Sequence, residues 1–363
     1  MSGTSQQDPD WRRKATCPRR QVILFSGHLA TMLRSGVDVV RALETLAHDG
    51  ECRNFGVVVH DVNKGVCSGR SLSASMALFP RIFSKLYVTM IRVGENTGNL
   101  TDSLDSLRFW MERDEDTASR VKSAFTYPAL VVVVALTLTM MLFQTVIPQF
   151  MTIFENLDVP LPLLTRIVMG LTTLAKSPAT YVLGLGVLVM IGIGLRRLWE
   201  NPRTGIEMYL LILRIPIVGP ILKHASIARF ATAAEMAITN GLDVILTIEL
   251  GCAASGNRAM QVDARRFAQT ISEGETMSAH MKERTEIWGT FLPQMLAAGE
   301  EAASVGPMLA RARDVHGAEV DYLVDNLSAV LEPILLFGVA LLVGIVLLSV
   351  FIPLYSVIGS LGT

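Results

Sequence analysis

The sequence is poor in charge, in cysteine and in aromatic residues. Only 18% of its 363 residues are Asp, Glu, Lys or Arg, while 50% are hydrophobic; a soluble domain carries about 25% charge. Lys and Arg (32) nearly balance Asp and Glu (33), so no basic field is present to hold a nucleic acid. Four cysteines, with no C-x-x-C pair, exclude a disulfide scaffold and give no zinc or redox motif. The six histidines are dispersed, with no pair spaced for a metal. There is no G-x-x-x-x-G-K-[ST] loop, no H-E-x-x-H and no G-x-S-x-G elbow. Nucleotide hydrolases, zinc proteases and α/β hydrolases therefore lose their sequence warrant, and no catalytic residue, metal or cofactor is expected.

The missing charge is missing locally. No charged side chain occurs in 123–154, 177–195 or 333–363. About 20 apolar residues cross a hydrocarbon core of about 30 Å, so these runs predict transmembrane helices at 123–150, 177–195 and 331–357. The other 281 residues carry all 65 charges, about 23%, which is close to the soluble norm. Basic residues set the orientation: 17 Lys and Arg precede the first span, Arg166 and Lys176 are the two in 155–176, and 13 follow the second span up to residue 330. The expected order is a basic tail (1–20), a cytoplasmic domain (21–122), span one, a periplasmic segment (151–176), span two, a second cytoplasmic domain (196–330), span three and a periplasmic tail (358–363). Residues 1–20 lack an apolar h-region, so a cleaved signal peptide is not expected and the first span serves as insertion signal. Cys17, Cys52, Cys67 and Cys252 all fall in the cytoplasmic parts, where thiols stay reduced.

The chain repeats itself. Sliding it by 205 residues aligns 25–150 with 230–355 without a gap and pairs Phe25 with Phe230, Gly36 with Gly241, Asp38 with Asp243 and Gly69 with Gly274. The same shift pairs Gly94-Glu95 with Gly299-Glu300, Arg108 with Arg313, Pro128 with Pro333 and Pro148 with Pro353. Each unit is a domain of about 100 residues followed by one span. The extra span returns the chain to the first side, which makes the repeats parallel in topology.

Apolar periodicity in the domains is helical: Leu24, Leu29, Leu33, Val37 and Val40 recur at three- and four-residue spacing. The fold class is all-α. Gly36 and Gly241 predict helix-to-helix turns. A helix through Phe83, Leu86, Met90 and Ile91 is expected to end at Gly94, with the next starting near Thr97 or Asn99. Two readings of Gly94-Glu95 and Gly299-Glu300 stay open. Either the glutamate contacts a partner or anchors a neighbouring turn, or the glycine breaks the helix and the glutamate solvates or caps it. The cluster Asp114-Glu115-Asp116 reads as a solvated helix face. Glu332, just before Pro333, reads as an interfacial carboxylate at a helix N-terminus.

Taken together, these residues resemble the type II secretion system F family, which includes platform proteins of type II secretion and of type IV pilus assembly. The resemblance spans about residues 20–360. It rests on Phe25-x3-Leu29-Ala30 with Gly36-Val37, on Gly94-Glu95-Asn-Thr-Gly98-Asn-Leu100, and on Tyr127-Pro128. Pro148-x-Phe150-x3-Phe154, Leu161-Pro162-x2-Thr165, Pro216-x2-Gly219, Ala228-Arg229-Phe230, Glu332-Pro333 and Pro353 follow in order. Two departures stand out. Ala303 occupies the place of Gly98 in the second motif, which unsettles the loop there. Asp105 matches one carboxylate of a calcium-binding pair found in some relatives, but Phe109 occupies the other position, so no metal is expected.

The resemblance implies a non-enzymatic inner-membrane platform with its N-terminus in the cytoplasm and its C-terminus in the periplasm. Its implied partners are a cytoplasmic secretion ATPase, pilin or pseudopilin transmembrane helices, other inner-membrane assembly proteins, lipid and further copies of itself, and no nucleic acid. Candidate contact residues are those of the shared motifs: Phe25, Gly36, Gly94, Glu95, Gly98, Pro128, Pro148, Phe230, Gly241, Gly299, Glu300, Glu332, Pro333 and Pro353. Glycines 184, 186, 192, 194, 338 and 344 would let a partner helix approach closely. A transporter or channel subunit is the alternative, opposed by uncharged spans. An acid/base enzyme using Glu95 or Glu300 lacks a second group at recognisable spacing.

Overall fold

The computed structural model describes residues 11–48, 53–155 and 218–361, with Gly170, Met190 and Leu213 singly. Every regular element among them is a helix. Repeat 1 contains α1 (Trp11–Lys14), α2 (Arg19–Arg34), α3 (Val39–His48), α4 (Arg53–Cys67), α5 (Leu72–Met76) and α6 (Lys85–Thr97), then α7 (Leu100–Glu155). Repeat 2 contains α8 (Val218–Thr239), α9 (Val244–Ala254), α10 (Arg258–Ser272), α11 (Met277–Lys282), α12 (Thr285–Trp288) and α13 (Phe291–Glu301), then α14 (Val305–Leu361). The internal shift of 205 residues carries α4 onto α10 end for end.

The turns explain why the boundaries repeat. Gly36 and Gly241 have φ of 82° and 80°. Each sits just past a helix and lets the amide after it satisfy one of the last carbonyls: Val37 N–H reaches Met32 O at 3.0 Å, and Leu242 N–H reaches Ala237 O at 3.0 Å. A left-handed residue after the last turn is the usual way to close a helix, and glycine takes that conformation without a Cβ penalty. N-caps recur as well. Ser71 accepts from Ala74 N–H and Thr276 accepts from Ala279 N–H, both at 3.2 Å.

Two compact units result, residues 1–118 with 212–321, and 119–211 with 322–363. In the first, both repeats share a hydrophobic core. Phe25, Leu29, Leu43, Phe83, Met90 and Leu104 are buried together, and Ala233, Met236 and Leu250 of repeat 2 join the same cluster. Each such aromatic or aliphatic side chain contributes about 1.5–3 kcal/mol on burial. In the second unit the apolar parts of α7 and α14 are long enough to cross a membrane. Their large side chains face outward: Leu130 is 61% exposed and Phe337 72%. An apolar surface of that extent needs lipid or another helix against it. The expected span at 177–195 lies outside the described residues, apart from Met190.

Two expectations are corrected here. α6 passes through Gly94 and ends at Thr97, with Gly98 as its left-handed cap (φ 74°); a glycine in a helix interior costs only about 1 kcal/mol and need not stop it. Glu332 and Pro333 lie inside α14, as Pro128 lies inside α7. Glu332 therefore has no helix N-terminus beside it. A proline inside a helix forfeits one backbone hydrogen bond, which a long helix tolerates when the bonds on either side persist.

Candidate functional site

The paired Gly-Glu motifs form the same clasp twice. Leu72 N–H donates to Glu95 Oε1 at 2.5 Å and Ser73 N–H to Oε2 at 3.1 Å. In repeat 2, Met277 and Ser278 N–H both donate to Glu300 Oε1, at 2.7 and 3.3 Å. These are the first amides of α5 and α11, which have no partner within their own helices. Each glutamate thus crosses from the end of one helix to the start of an earlier one. The anchor reading of the motif is the one the geometry realises, and the helix-break reading falls with it.

The glycine beside each glutamate has a separate job. A Cβ on Gly94 would stand 2.8 Å from Leu100 Cα and 2.7 Å from Ser103 Oγ; on Gly299 it would stand 2.8 Å from Met308 Cγ and 3.2 Å from Val305 Cα. The glycines allow α6 and α13 to turn back tightly on the helices that follow them. Gly98 then supplies the left-handed residue. Its counterpart Ala303 adopts φ 49° and keeps the turn, with Ser304 N–H donating to Gly299 O at 2.7 Å. The second loop therefore retains its geometry despite the missing glycine, at the cost of a strained alanine.

Other candidates lie elsewhere. Phe25 and Phe230 are core residues, the first edge-on to Phe55 at 5.5 Å and the second to Trp288 at 4.7 Å. Gly36 and Gly241 sit in exposed turns. Pro128 is buried and Glu332 and Pro333 are exposed, all three in the other compact unit. Pro148 lies near the end of α7 and Pro353 near the end of α14. Within repeat 1 the structure thus joins Gly94, Glu95 and Gly98 in one edge, and Phe25 and Gly36 stand apart from it. Asp105 is ion-paired with Arg34, while Phe109 is exposed and lies beneath the guanidiniums of Arg113 and Arg313, both 5.5 Å from its ring.

Several polar groups escaped sequence reasoning because their partners are distant in sequence. Asp114 is not solvated: its side chain is 10% exposed and pairs with Arg19 of repeat 1 and Arg229 of repeat 2. Lys85 reaches Glu249 at 3.3 Å, so charge as well as apolar packing joins the repeats. In repeat 2, Asp263 is buried against His280 (3.0 Å), Arg284 (2.9 Å) and the Trp288 indole (3.4 Å). His224 and His316, dispersed in sequence, meet with their Nδ1 atoms 3.0 Å apart. Burial lowers the pKa of both, that of His316 to about 4, helped by the nearby His224 and Lys223. Glu235 accepts from Arg313 at 2.5 Å, and burial raises its carboxyl above the usual range. The second Gly-Glu copy was the one available signal for the clasp; the other contacts had none.

A duplicated helical domain, each copy leading into a long apolar helix, defines the class of protein. The match to known proteins is specific within it. The family described as Type II secretion system (T2SS), protein F matches residues 25–148 and again 230–353, the same offset of 205 residues that the clasps obey. This chain belongs to that family. It is 28% identical over 342 residues to the type IV pilus assembly protein PilC of Thermus thermophilus, covering 94% of this chain and 84% of the relative. The PilC of Pseudomonas aeruginosa is 27% identical over 336 residues, 92% of this chain and 89% of that one. The type II secretion system protein F of Xanthomonas campestris is 27% identical over 350 residues, 96% and 86%.

Proposed function

We propose that this chain is an inner-membrane platform on which pilin-like subunits are assembled, in type IV pilus biogenesis or type II secretion. The duplicated family match, in register with two structurally equivalent clasps, carries the reading. A rigid tandem domain is suited to receive force from a cytoplasmic secretion ATPase and pass it along α7 and α14, since each of those helices runs unbroken from repeat to apolar segment. A Cβ placed on Gly338 or Gly344 would meet nothing within 4 Å, which leaves that part of α14 open to a pilin helix. The role is mechanical rather than enzymatic. The platform self-associates, with three spans at 123–150, 177–195 and 331–357, its N-terminus cytoplasmic and its C-terminus periplasmic.

Deleting the gene and measuring exoprotein release and surface pili tests the function: one of the two is lost. Unchanged release and piliation, with no secretion ATPase co-purifying with the full chain, overturns it. The topology is tested separately. A membrane-impermeant maleimide leaves all four native thiols unlabelled in intact spheroplasts and labels exposed Cys67 after lysis; labelling before lysis reverses the orientation.

A further inference from the structure

The two Gly-Glu edges share one architecture and carry opposite charge. In repeat 1 the segment 53–99 has six basic residues and two acids, Asp61 and Glu95. Both acids are consumed inside the domain: Asp61 accepts from Arg12 at 3.0 Å, and Glu95 holds the α5 amides. Lys85 is taken by Glu249. Lys64, Arg70, Arg81 and Arg92 are exposed, and none of them has an ion-pair partner among the described residues. Backbone contacts bring three of these to the same edge. Arg70 N–H donates to Gly65 O at 3.1 Å, which sets it beside Lys64. Leu72, two residues on, is bound by Glu95, one helical turn from Arg92.

The matching segment of repeat 2, 258–304, has five basic residues and seven acids. Asp263 and Glu300 are consumed internally, as Asp61 and Glu95 are in repeat 1, although Asp263 stands at the position of Val58 rather than of Asp61. The residues that replace the exposed cations invert or erase them: Glu275 stands for Arg70, Glu286 for Arg81, Gln269 for Lys64 and Ala297 for Arg92. Glu273, Glu275, Glu283 and Glu286 are all exposed. Arg265 and Arg266 lie about two turns back along α10 from Glu273, and Lys282 is the one cation between Glu275 and Glu283.

We propose that the basic edge of repeat 1 on one copy of the chain docks against the acidic edge of repeat 2 on the next. The occupant is a second copy because the complementary surface is present on the same molecule, built on the same clasp. Joining two unlike surfaces gives a heterologous contact, which leaves one edge free at each end and extends until the rotation closes a ring. Exposed ion pairs are individually weak. Their collective effect is to select register and speed encounter, and it fades as salt shortens the screening length. The inference rests on the platform reading above and specifies the surfaces through which the platform self-associates.

The test is a charge exchange in the full-length chain, solubilised in detergent, with two differently tagged copies co-expressed. One variant carries Lys64→Glu, Arg70→Glu and Arg92→Glu; the other carries Glu273→Lys, Glu275→Lys and Glu286→Lys. Each variant co-purifies with itself about tenfold less than wild type does with itself. The two variants mixed recover at least about half of the wild-type yield, because each reversed edge then faces its opposite. Wild-type pairing itself drops severalfold between about 0.05 M and about 0.5 M salt. If reversal leaves self-association unchanged, or the mixture fails to recover, the interface is wrong and the platform reading stands. A wild-type chain that never co-purifies with itself overturns self-association as well. Should the reversals lower helicity or melting temperature, the neutral set Lys64→Gln, Arg70→Gln and Arg92→Gln carries the test, with an expected loss of about threefold; no loss overturns the interface.

Discussion

Repeats 1 and 2 keep the same turns and clasps around different interiors. Repeat 1 packs Phe79, Phe83 and Tyr87 with Val58 and Ser75, and its main buried polar contact joins Ser26 and Tyr87 hydroxyls at 2.8 Å. At the positions of Val58, Ser75, Phe79 and Phe83, repeat 2 has Asp263, His280, Arg284 and Trp288, which bond to one another. The four differ as a set, for a physical reason. A lone aspartate among Val, Ser and Phe would be a buried charge without a partner. What must stay the same for the fold to stay the same is therefore the backbone chemistry: left-handed turns, helix caps and close helix approaches. The core needs only to be filled and its polar atoms satisfied.

The largest test of this contrast is Asp263→Ala, which strips His280, Arg284 and Trp288 of their acceptor. It should cost about 3–5 kcal/mol, seen as early loss of helicity on heating the detergent-solubilised chain. Val58→Ala in repeat 1 should cost less, about 1–3 kcal/mol. The combined change Asp263→Val, His280→Ser, Arg284→Phe and Trp288→Phe should recover most of the loss, since an apolar set of repeat 1 type replaces the network as a whole. If the quadruple variant is no better than Asp263→Ala, the two interiors are not interchangeable solutions.

Acid separates the repeats next. His316 takes up a proton only near pH 4 when folded but near pH 6.5 when unfolded. Below pH 6.5 the unfolded chain binds the proton that the fold refuses, so stability is present above that pH and is lost as pH falls towards 4. The loss should reach roughly 2–3 kcal/mol at pH 4. His316→Phe should flatten the slope of melting temperature against pH over that window; an unchanged slope removes His316 from the account.

A smaller effect attends the clasps. Glu95→Ala and Glu300→Ala each free two helix-start amides, with an expected cost of about 1–2 kcal/mol. Proteolysis at the α4–α5 or α10–α11 turn should accelerate only in the repeat mutated, and cleavage shared equally between the repeats would show that the clasps do not act locally. The smallest test has opposite signs in the two copies. Gly98→Ala should destabilise by about 1 kcal/mol and Ala303→Gly should stabilise by about 0.5–1 kcal/mol, because one creates a left-handed alanine and the other relieves one. Equal signs in denaturant melts would mean the two turns are not equivalent.

Much of the fold was legible along the chain because its signals are local. The 205-residue repeat, the helical periods and the turns at Gly36 and Gly241 each depend on a few neighbouring residues. The end of α6 is not legible, because a glycine such as Gly94 that permits close packing looks, in sequence, like one that stops a helix. The burial of Asp114 is hidden for a related reason. Its neighbours Glu115 and Asp116 suggest a solvated face, and the two arginines that enclose it come from residues 19 and 229.

By itself, the sequence determined the alternation of helical domains with apolar helices, the duplication, and the family, since composition, periodicity and motif order are properties of neighbours along the chain. Tertiary structure alone decided that Glu95 and Glu300 tie down an earlier helix, that Asp114 joins the repeats, and that half-buried His224 meets buried His316. Each of those outcomes depends on which distant side chains or amides packing brings within about 3 Å, and packing follows from the shape of the whole core rather than from any one segment.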